Sequence, residues 1–377
     1  MTGVGSSFDT ALHRDQTETL VIGAGQAGLA VGYYLRRRGV SFVIVDEHER
    51  VGDVWRHRWD SLRLFTPGRY NGLPGMPFPG PPSTYPAKDE VADYFEIYAR
   101  EFGLPVRTGL RVERLSAANG RFEASCGKQV LSADNVVLAT GAFHHPRVPA
   151  FAAGLGPSIV QLHSSEYRNR SQIAQGSVLV VGAGNSGAEI AMELARDHQI
   201  WLSGPDTGQE PTRAGSLADR LVTPIMWLVA TRLTVRTAPG RKLRDYFIDP
   251  PRGIPLGRVR RKDIIASGIE RVGRTTGVRN GYPLLEDGRV LKPSTVIWCT
   301  GYRTDFTWLD LPLPTTRHGV PIHDRGIVES VPGLYFMGIL FQYSLSSALL
   351  GGVGRDAKYI VDHIAPDMRR KRAGGAR

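Results

Sequence analysis

Residues 19–46, TLVIGAGQAGLAVGYYLRRRGVSFVIVD, constrain the fold more than any other part of the chain. Leu20, Val21 and Ile22 form the short apolar run of a buried parallel strand, and the run stops at Gly23. Gly23, Gly25 and Gly28 then spell G-x-G-x-x-G, with Gln26 and Ala27 inside the motif. The first glycine permits a tight turn, the second lets a pyrophosphate approach the backbone, and the third lets the next helix pack against the strand. Ala27, Ala30, Val31, Tyr34 and Leu35 recur at the spacing of a buried helical face. Arg36, Arg37 and Arg38 complement the negative end of that helix, and Gly39 supplies a left-handed cap. A second apolar run, residues 42–45, delivers Asp46 with Glu47 beside it, an acid placed to accept hydrogen bonds from a ribose. Strand, glycines, helix and acid in register predict a dinucleotide site; an ordinary tight turn requires none of them.

The pattern occurs twice. Residues 178–181 are a second apolar run, and Gly182, Gly184, Asn185, Ser186 and Gly187 lie in GAGNSG, followed by Ile190 and Leu194 on one helical face. Downstream, STVIWCTGYR with Thr300 and Gly301 repeats the strand and Thr-Gly of DNVVLATGAF with Thr140 and Gly141. The two copies are offset by 159 residues at Gly23 and Gly182, and by 160 at Gly141 and Gly301. Such a repeat predicts two mononucleotide-binding domains and two dinucleotides, for which flavin and nicotinamide are the natural pair. The expected fold is therefore α/β, with two Rossmann-like domains, the second inserted into the first. The boundaries read as an extension at 1–17, a first domain of 18–165 with 302–366, an inserted domain at 166–301, and a basic tail at 367–377.

With 377 residues, burial of a core is not limiting. The net charge of +11 raises the question of nucleic acid, but five cations, Arg369, Arg370, Lys371, Arg372 and Arg377, fall in the terminal tail. They read as a solvated tail on a phosphate-binding enzyme, with no nucleic-acid partner. Cys126 and Cys299 are the only cysteines and fit neither a disulfide framework nor a metal site. A reducing, cytoplasmic setting and no metal follow as expectations. Residues 221–235 come nearest to a membrane span but contain Pro224 and Arg232, so they read as a buried or interfacial helix, and no membrane partner is expected.

Between the two fingerprints, residues 51–86 are rich in aromatics, arginines and prolines and carry no period, which in an enzyme points to a functional loop. Trp55 and Trp59 are candidates to wall an aromatic cofactor, and Thr66 and Pro67 to bring backbone beside it. Residues 88–101 read as a helix, 106–115 and 121–126 as strands. Near the C-terminus, VPGLYFMG is a strand ending at Gly338, and a helix follows with Ala357, Ile360, Val361 and Ile364 on one face.

GAGQAG, GDVW with SLRLFTP, HSSEY, GAGNSGAEIA, CTGY and GLYFMG stand in this order. In that order they resemble the flavin-containing monooxygenases, most of all small bacterial members related to the plant auxin-forming enzymes. The resemblance spans about residues 19–364 and implies FAD at Gly23, Gly25, Gly28, Asp46, Trp55, Gly141 and Gly338. It implies NADPH at Gly182, Gly184, Ser186 and Gly187. The implied reaction is reduction of FAD by NADPH, formation of a flavin hydroperoxide with dioxygen, and oxygenation of a small organic substrate. An NADPH oxidase and a non-catalytic nucleotide-binding redox sensor stay open as alternatives; a disulfide reductase does not, because no C-x-x-C exists. The linker motif F-x-G-x-x-x-H-x-x-x-F/Y is half present, with His163 and Tyr167 in place but Pro157 and Ile159 where Phe and Gly belong. His163 reads as a packed linker residue, and no catalytic side chain is assigned.

The strand of the second copy that matches residues 42–45 ends in Ser203 instead of an acid. A carboxylate about 4 Å from a 2′-phosphate costs on the order of 4 kcal/mol at an effective dielectric of 20, so its absence predicts NADPH over NADH. Ser203 is expected to donate to the phosphate and Arg213 to supply the cation. Substrate identity and oligomeric state are not legible.

Overall fold

The computed structural model describes residues 13–141, 144–248, 253–316 and 321–374. Residues 1–12 of the expected extension, Ala142 and Phe143 of the first strand-Thr-Gly copy, and the side chains of the basic tail lie outside the described part.

In chain order the first part of the fold comprises β1 (His13–Ile22), α1 (Gln26–Arg38), β2 (Phe42–Val45), α2 (Asp53–Arg56), α3 (Lys88–Glu101), β3 (Val106–Arg107), β4 (Arg114–Ala118), β5 (Arg121–Cys126), β6 (Gln129–Leu138) and β7 (His145–Pro146). The middle holds β8 (Val160–His163), β9 (Val178–Val181), α4 (Asn185–Leu194), β10 (Ile200–Ser203), α5 (Leu217–Arg232), α6 (Ala238–Ile248), α7 (Arg261–Ala266), β11 (Glu270–Val272), β12 (Thr275–Arg279), β13 (Tyr282–Leu285) and β14 (Thr295–Trp298). The chain closes with β15 (Tyr302–Arg303), β16 (Leu309–Asp310), β17 (Leu334–Phe336) and α8 (Val353–Gly374).

The first sheet runs β16-β4-β5-β6-β1-β2-β3, and β17 joins β6. β6 serves two partners along one edge: residues 129–133 pair antiparallel with β5, while Val136, Val137 and Leu138 pair parallel with β17. Its other edge pairs parallel with β1 over nearly the whole length, and β2 continues the parallel set. Helices α1, α3 and α8 cover one face through Leu29, Val31, Leu35, Val91, Phe95, Tyr98, Ile360 and Ile364, among others. Each fully buried Leu, Ile, Val or Phe among them contributes about 1.5–3 kcal/mol. Gly39 ends α1 in the left-handed conformation at φ 65°, as its sequence signal requires.

The second sheet, β11-β10-β9-β14-β8, is wholly parallel. Between the sheets the chain crosses twice, and the two crossings pair with each other: β7 and β15 form an antiparallel ladder, Tyr302 opposite Pro146 and Arg303 opposite His145. The first crossing therefore precedes the boundary read at 165. β8 pairs with β14, and Ala152, Leu155 and Ile159 pack with Leu179 and Val181 of the inserted unit. VQLH is an edge strand exposed at both its first residues, so it carries no apolar run to signal it.

Two further expectations are corrected. Residues 106–115 are not one strand, because Gly109 at φ +67° turns the chain between β3 and β4. Residues 221–235, read as a buried or interfacial helix, overlap α5, which begins at Leu217, ends at Arg232 and leaves most of its apolar side chains exposed. The start of α5 is set by Ser216, whose Oγ accepts from Asp219 N–H at 3.1 Å.

Candidate functional site

At the C-terminal edge of the first sheet, the ends of β1, β2, β6 and β17 converge. Gly23 N–H donates to Val45 O at 2.7 Å, and a Cβ on Gly23 would stand 2.5 Å from Ala139 O, so the turn sits directly against the strand that delivers Thr140 and Gly141. Gly338 arrives from β17, and a Cβ on it would stand 2.9 Å from Ala27 Cβ at the start of α1. Gly28 packs helix on turn so closely that a Cβ would meet Gly23 O at 1.9 Å. Gly25 and Gly141 differ: a Cβ on either meets nothing within 4 Å. Gly25 is the N-cap of α1, so the open backbone there forms a cradle at a helix N-terminus, the kind of place where backbone N–H groups can receive a phosphate.

Asp46 closes the cradle. Its Oδ2 accepts from Ala24 N–H at 2.6 Å, and its Oδ1 from His48 N–H at 2.9 Å and the His48 ring at 2.8 Å. Burial alone would push this carboxyl up; the His48 ring and the two backbone donors outweigh it and hold the group below its ordinary range. Glu47 is exposed and lies 3.8 Å from Arg111. Gln26 reaches the turn before α8, donating to Ala348 O at 3.4 Å.

The second edge repeats the first. Gly182 N–H donates to Ser203 O at 2.8 Å, a Cβ on Gly182 would lie 2.2 Å from Cys299 O, and one on Gly187 would lie 1.8 Å from Gly182 O. Gly184 and Gly301 again face open space. Asn185 pins the loop before α7 over this edge, donating to Pro255 O at 3.1 Å and accepting from Gly257 N–H at 3.0 Å. Ser186 follows in the first turn of α4. Thr300 donates to Arg147 O at the crossing, and Gly301 O accepts from Arg147 N–H at 2.9 Å and faces His163 Nε2 at 3.1 Å. His163 is buried, with its pKa lowered by that burial, and packs edge-on against Tyr302; it is a linker residue.

Three expectations about side chains change. Ser203 is fully buried, and its hydroxyl is committed to Gly273 O at 2.8 Å, Thr275 N–H at 3.0 Å and Thr275 Oγ1 at 2.8 Å; no donor is left for a coenzyme phosphate. Arg213 is exposed on a loop whose neighbours Thr212 and Gly215 are tied to Asp219, not to β10. The cations beside the end of β10 are instead Arg271, which donates to Gly204 O at 2.9 Å, and Arg261, which pairs with Asp206 at 2.6 Å. Lying 74 and 84 residues beyond Gly187 of the fingerprint motif, they gave no sequence signal. Trp59 does not wall the first cradle: it is buried in the core of the inserted unit with Tyr167, Val178 and Ile190. Around it Asp60 N–H donates to Arg168 O at 2.8 Å, Asn169 to Asp60 Oδ2 at 2.8 Å, and Arg58 to Tyr302 Oη at 2.6 Å, so residues 58–62 lock the two units together. Trp55 is half-buried against the first core. Thr66 exchanges hydrogen bonds with the buried Asn71, at 2.6 Å from its Oγ1 and 2.9 Å to its carbonyl.

Glu189 on α4 has a further consequence. Burial pushes its carboxyl up to about 7, and Arg258, 3.5 Å away, offsets only part of that. The folded protein holds this proton where the unfolded chain, with an ordinary value of 4.5, has released it. Stability from Glu189 is therefore present below 4.5 and falls as pH rises through 7. Glu189→Gln is expected to flatten the fall in Tm between about pH 5 and about pH 8, with a difference on the order of 1–3 kcal/mol by thermal denaturation. An unchanged slope would contradict it.

Burial pushes the Cys299 thiol up to about 12 and raises Cys126 as well; Cys126 ends β5 of the first sheet, and Cys299 directly follows β14 of the second. No group of His, Cys, Asp or Glu able to hold a metal occurs among the described residues.

The profile of the pyridine nucleotide-disulphide oxidoreductase family matches residues 20–223. An uncharacterized CzcO-like oxidoreductase of Geobacillus kaustophilus is 41% identical over 353 residues, which cover 92% of this chain and 98% of that protein. The indole-3-pyruvate monooxygenase YUCCA4 of Oryza sativa is 37% identical over 393 residues, covering 93% of this chain and 88% of its own. Among solved structures, the flavin-containing monooxygenase of Stenotrophomonas maltophilia superposes with a TM-score of 0.72 at 29% identity, covering 94% of this chain and 99% of that one. With a glycine turn at the strand ends of each of two sheets, one mixed and one parallel, the chain belongs to the pyridine nucleotide-disulphide oxidoreductase family and to the flavin-containing monooxygenases, as an NAD(P)H-dependent flavoprotein with FAD and NADPH as cofactors.

Proposed function

We propose that the protein transfers one oxygen atom from dioxygen to a small organic substrate, with FAD resident in the first cradle and NADPH exchanging at the second. The observation that carries this reading is the pair of open glycine positions, Gly25 and Gly184, each at a helix N-terminus and each backed by a sterically closed partner, Gly28 and Gly187. Bound and reduced, the flavin supplies the activation of dioxygen. The chain supplies placement: α1 and α4 direct their positive ends at pyrophosphates, Asp46 orders the first turn, and Trp59 with the β7–β15 ladder fixes one cradle relative to the other. Anaerobic mixing with NADPH tests the assignment. Bleaching of the bound flavin is expected, and a flavin that NADPH leaves oxidised would contradict it.

For coenzyme choice, Arg271 and Arg261 replace Ser203 and Arg213 as the proposed readers of the 2′-phosphate. Their support is position, since both guanidinium groups flank residues 204–206 at the end of β10. Arg271→Ala is expected to raise the KM for NADPH about tenfold with little change for NADH, while Arg213→Ala leaves both near wild type. Asp206→Asn is expected to lower the KM for NADPH by removing a carboxylate that competes for Arg261. Equal losses for both coenzymes in Arg271→Ala would show that it supports the fold and does not read the phosphate.

A further inference from the structure

α5 is mounted with its apolar side outward. Leu217, Leu221, Ile225 and Leu228 share one helical stripe and are 77%, 74%, 63% and 53% exposed. The opposite side anchors the helix. Asp219 accepts from Tyr85 Oη at 2.6 Å, Trp227 stacks on Tyr70 with ring centres 4.9 Å apart, and Thr231 O accepts from Arg355 at 2.8 Å. A surface helix normally turns such a stripe toward the core. Here polar and aromatic contacts hold it away, and rotation of the helix to hide the leucines would break all of them.

The exposed charges on α5 and just before it have one sign. Arg213, Arg220 and Arg232 are exposed just before, beside and within it, whereas Asp219, the only acid of the helix, is 7% exposed and turned inward. We propose that this face docks on an anionic lipid surface, with α5 lying in the headgroup plane, its leucines and isoleucine inserted and its arginines meeting lipid phosphates. The helix lies on the bilayer and does not cross it: it has 16 residues including Pro224, and no described helix is long and apolar enough to span a membrane. A second copy of the chain fits the face less well, because two-fold pairing about the middle of α5 would set Arg220 of each copy beside Arg232 of the other. On its inner side Trp227 lines a cavity of about 300 Å³ with Tyr70, Leu73 and Met76, which docking would bring beside the lipid.

The test is flotation of the full-length, flavin-loaded protein with vesicles of phosphatidylcholine alone or mixed with phosphatidylglycerol. Partition onto the anionic vesicles is expected, weakened by high salt, and at least about tenfold weaker for the double variant Leu221→Glu, Ile225→Glu. Flavin content and Tm of that variant should match wild type, since both side chains already face water. Arg220→Gln with Arg232→Gln should weaken anionic partition while leaving the apolar stripe intact. Absence of binding, equal binding to both vesicle types, or equal binding by wild type and the glutamate variant would overturn the proposal. So would a wild-type dimer in sedimentation that the glutamate variant converts to monomer.

Discussion

Gly25→Val is expected to yield a folded protein that has lost its flavin. Gly25 adopts φ −78° and ψ −172°, extended backbone open to any residue, and a Cβ there meets no protein atom within 4 Å. The fold therefore loses only the preference for Gly over Val at a helix N-cap, about 1 kcal/mol. The incoming branched side chain fills the cradle instead, where overpacking against a pyrophosphate costs roughly 1–3 kcal/mol and removes the close backbone contacts as well. FAD affinity should fall at least about a hundredfold, read as the flavin absorbance of the purified protein and by titration with added FAD. Gly28→Val is the contrasting variant. Its Cβ would stand 1.9 Å from Gly23 O, so it should fail to fold, not merely fail to bind. Normal flavin occupancy in Gly25→Val would remove FAD from the first cradle.

Gly184→Val should separate the two cofactors. Gly184 has φ −76° and ψ −172° and the same empty surroundings, but it opens the inserted unit. The variant should purify yellow and fully folded, while NADPH bleaches its flavin at a rate reduced at least about a hundredfold at low coenzyme concentration. Dithionite should still reduce it, because the flavin site is untouched. Loss of flavin in this variant would mean that the two cradles are not assigned to the two units as proposed here.

The two fingerprints were legible because each is local: strand, three glycines and helix lie within about twenty residues, and hard contacts such as Gly28 on Gly23 O leave no other residue type possible. The amphipathic helices were legible for the same reason, since Val91, Tyr94, Phe95 and Tyr98 on α3 obey one period. What the sequence hid is nonlocal. β8 gains its place only by pairing with β14, more than 130 residues away, and Trp59 leaves its own unit to fill the core of the other. Ser203 was read correctly as the absence of a carboxylate, but its hydroxyl is consumed by Gly273 and Thr275, partners that no periodicity announces. The arginines beside it come from α7 and β11 and meet the β10 end only in three dimensions. α5 was legible as a helix over 221–235, but not the direction of its apolar side, because its polar anchors face inward and its leucines outward, which inverts the usual pattern.

Oxygen transfer is the step that defines the proposed activity, and isotope-labelled dioxygen tests it most directly. The flavin-loaded protein is turned over with NADPH and a panel of amines, thioethers, ketones and indole acids, and products are weighed by mass spectrometry. The account predicts that at least one substrate accelerates NADPH consumption and leaves with a single labelled oxygen atom. Consumption of NADPH that is indifferent to every substrate, with all of the label recovered in hydrogen peroxide, would contradict it and make the protein an oxidase.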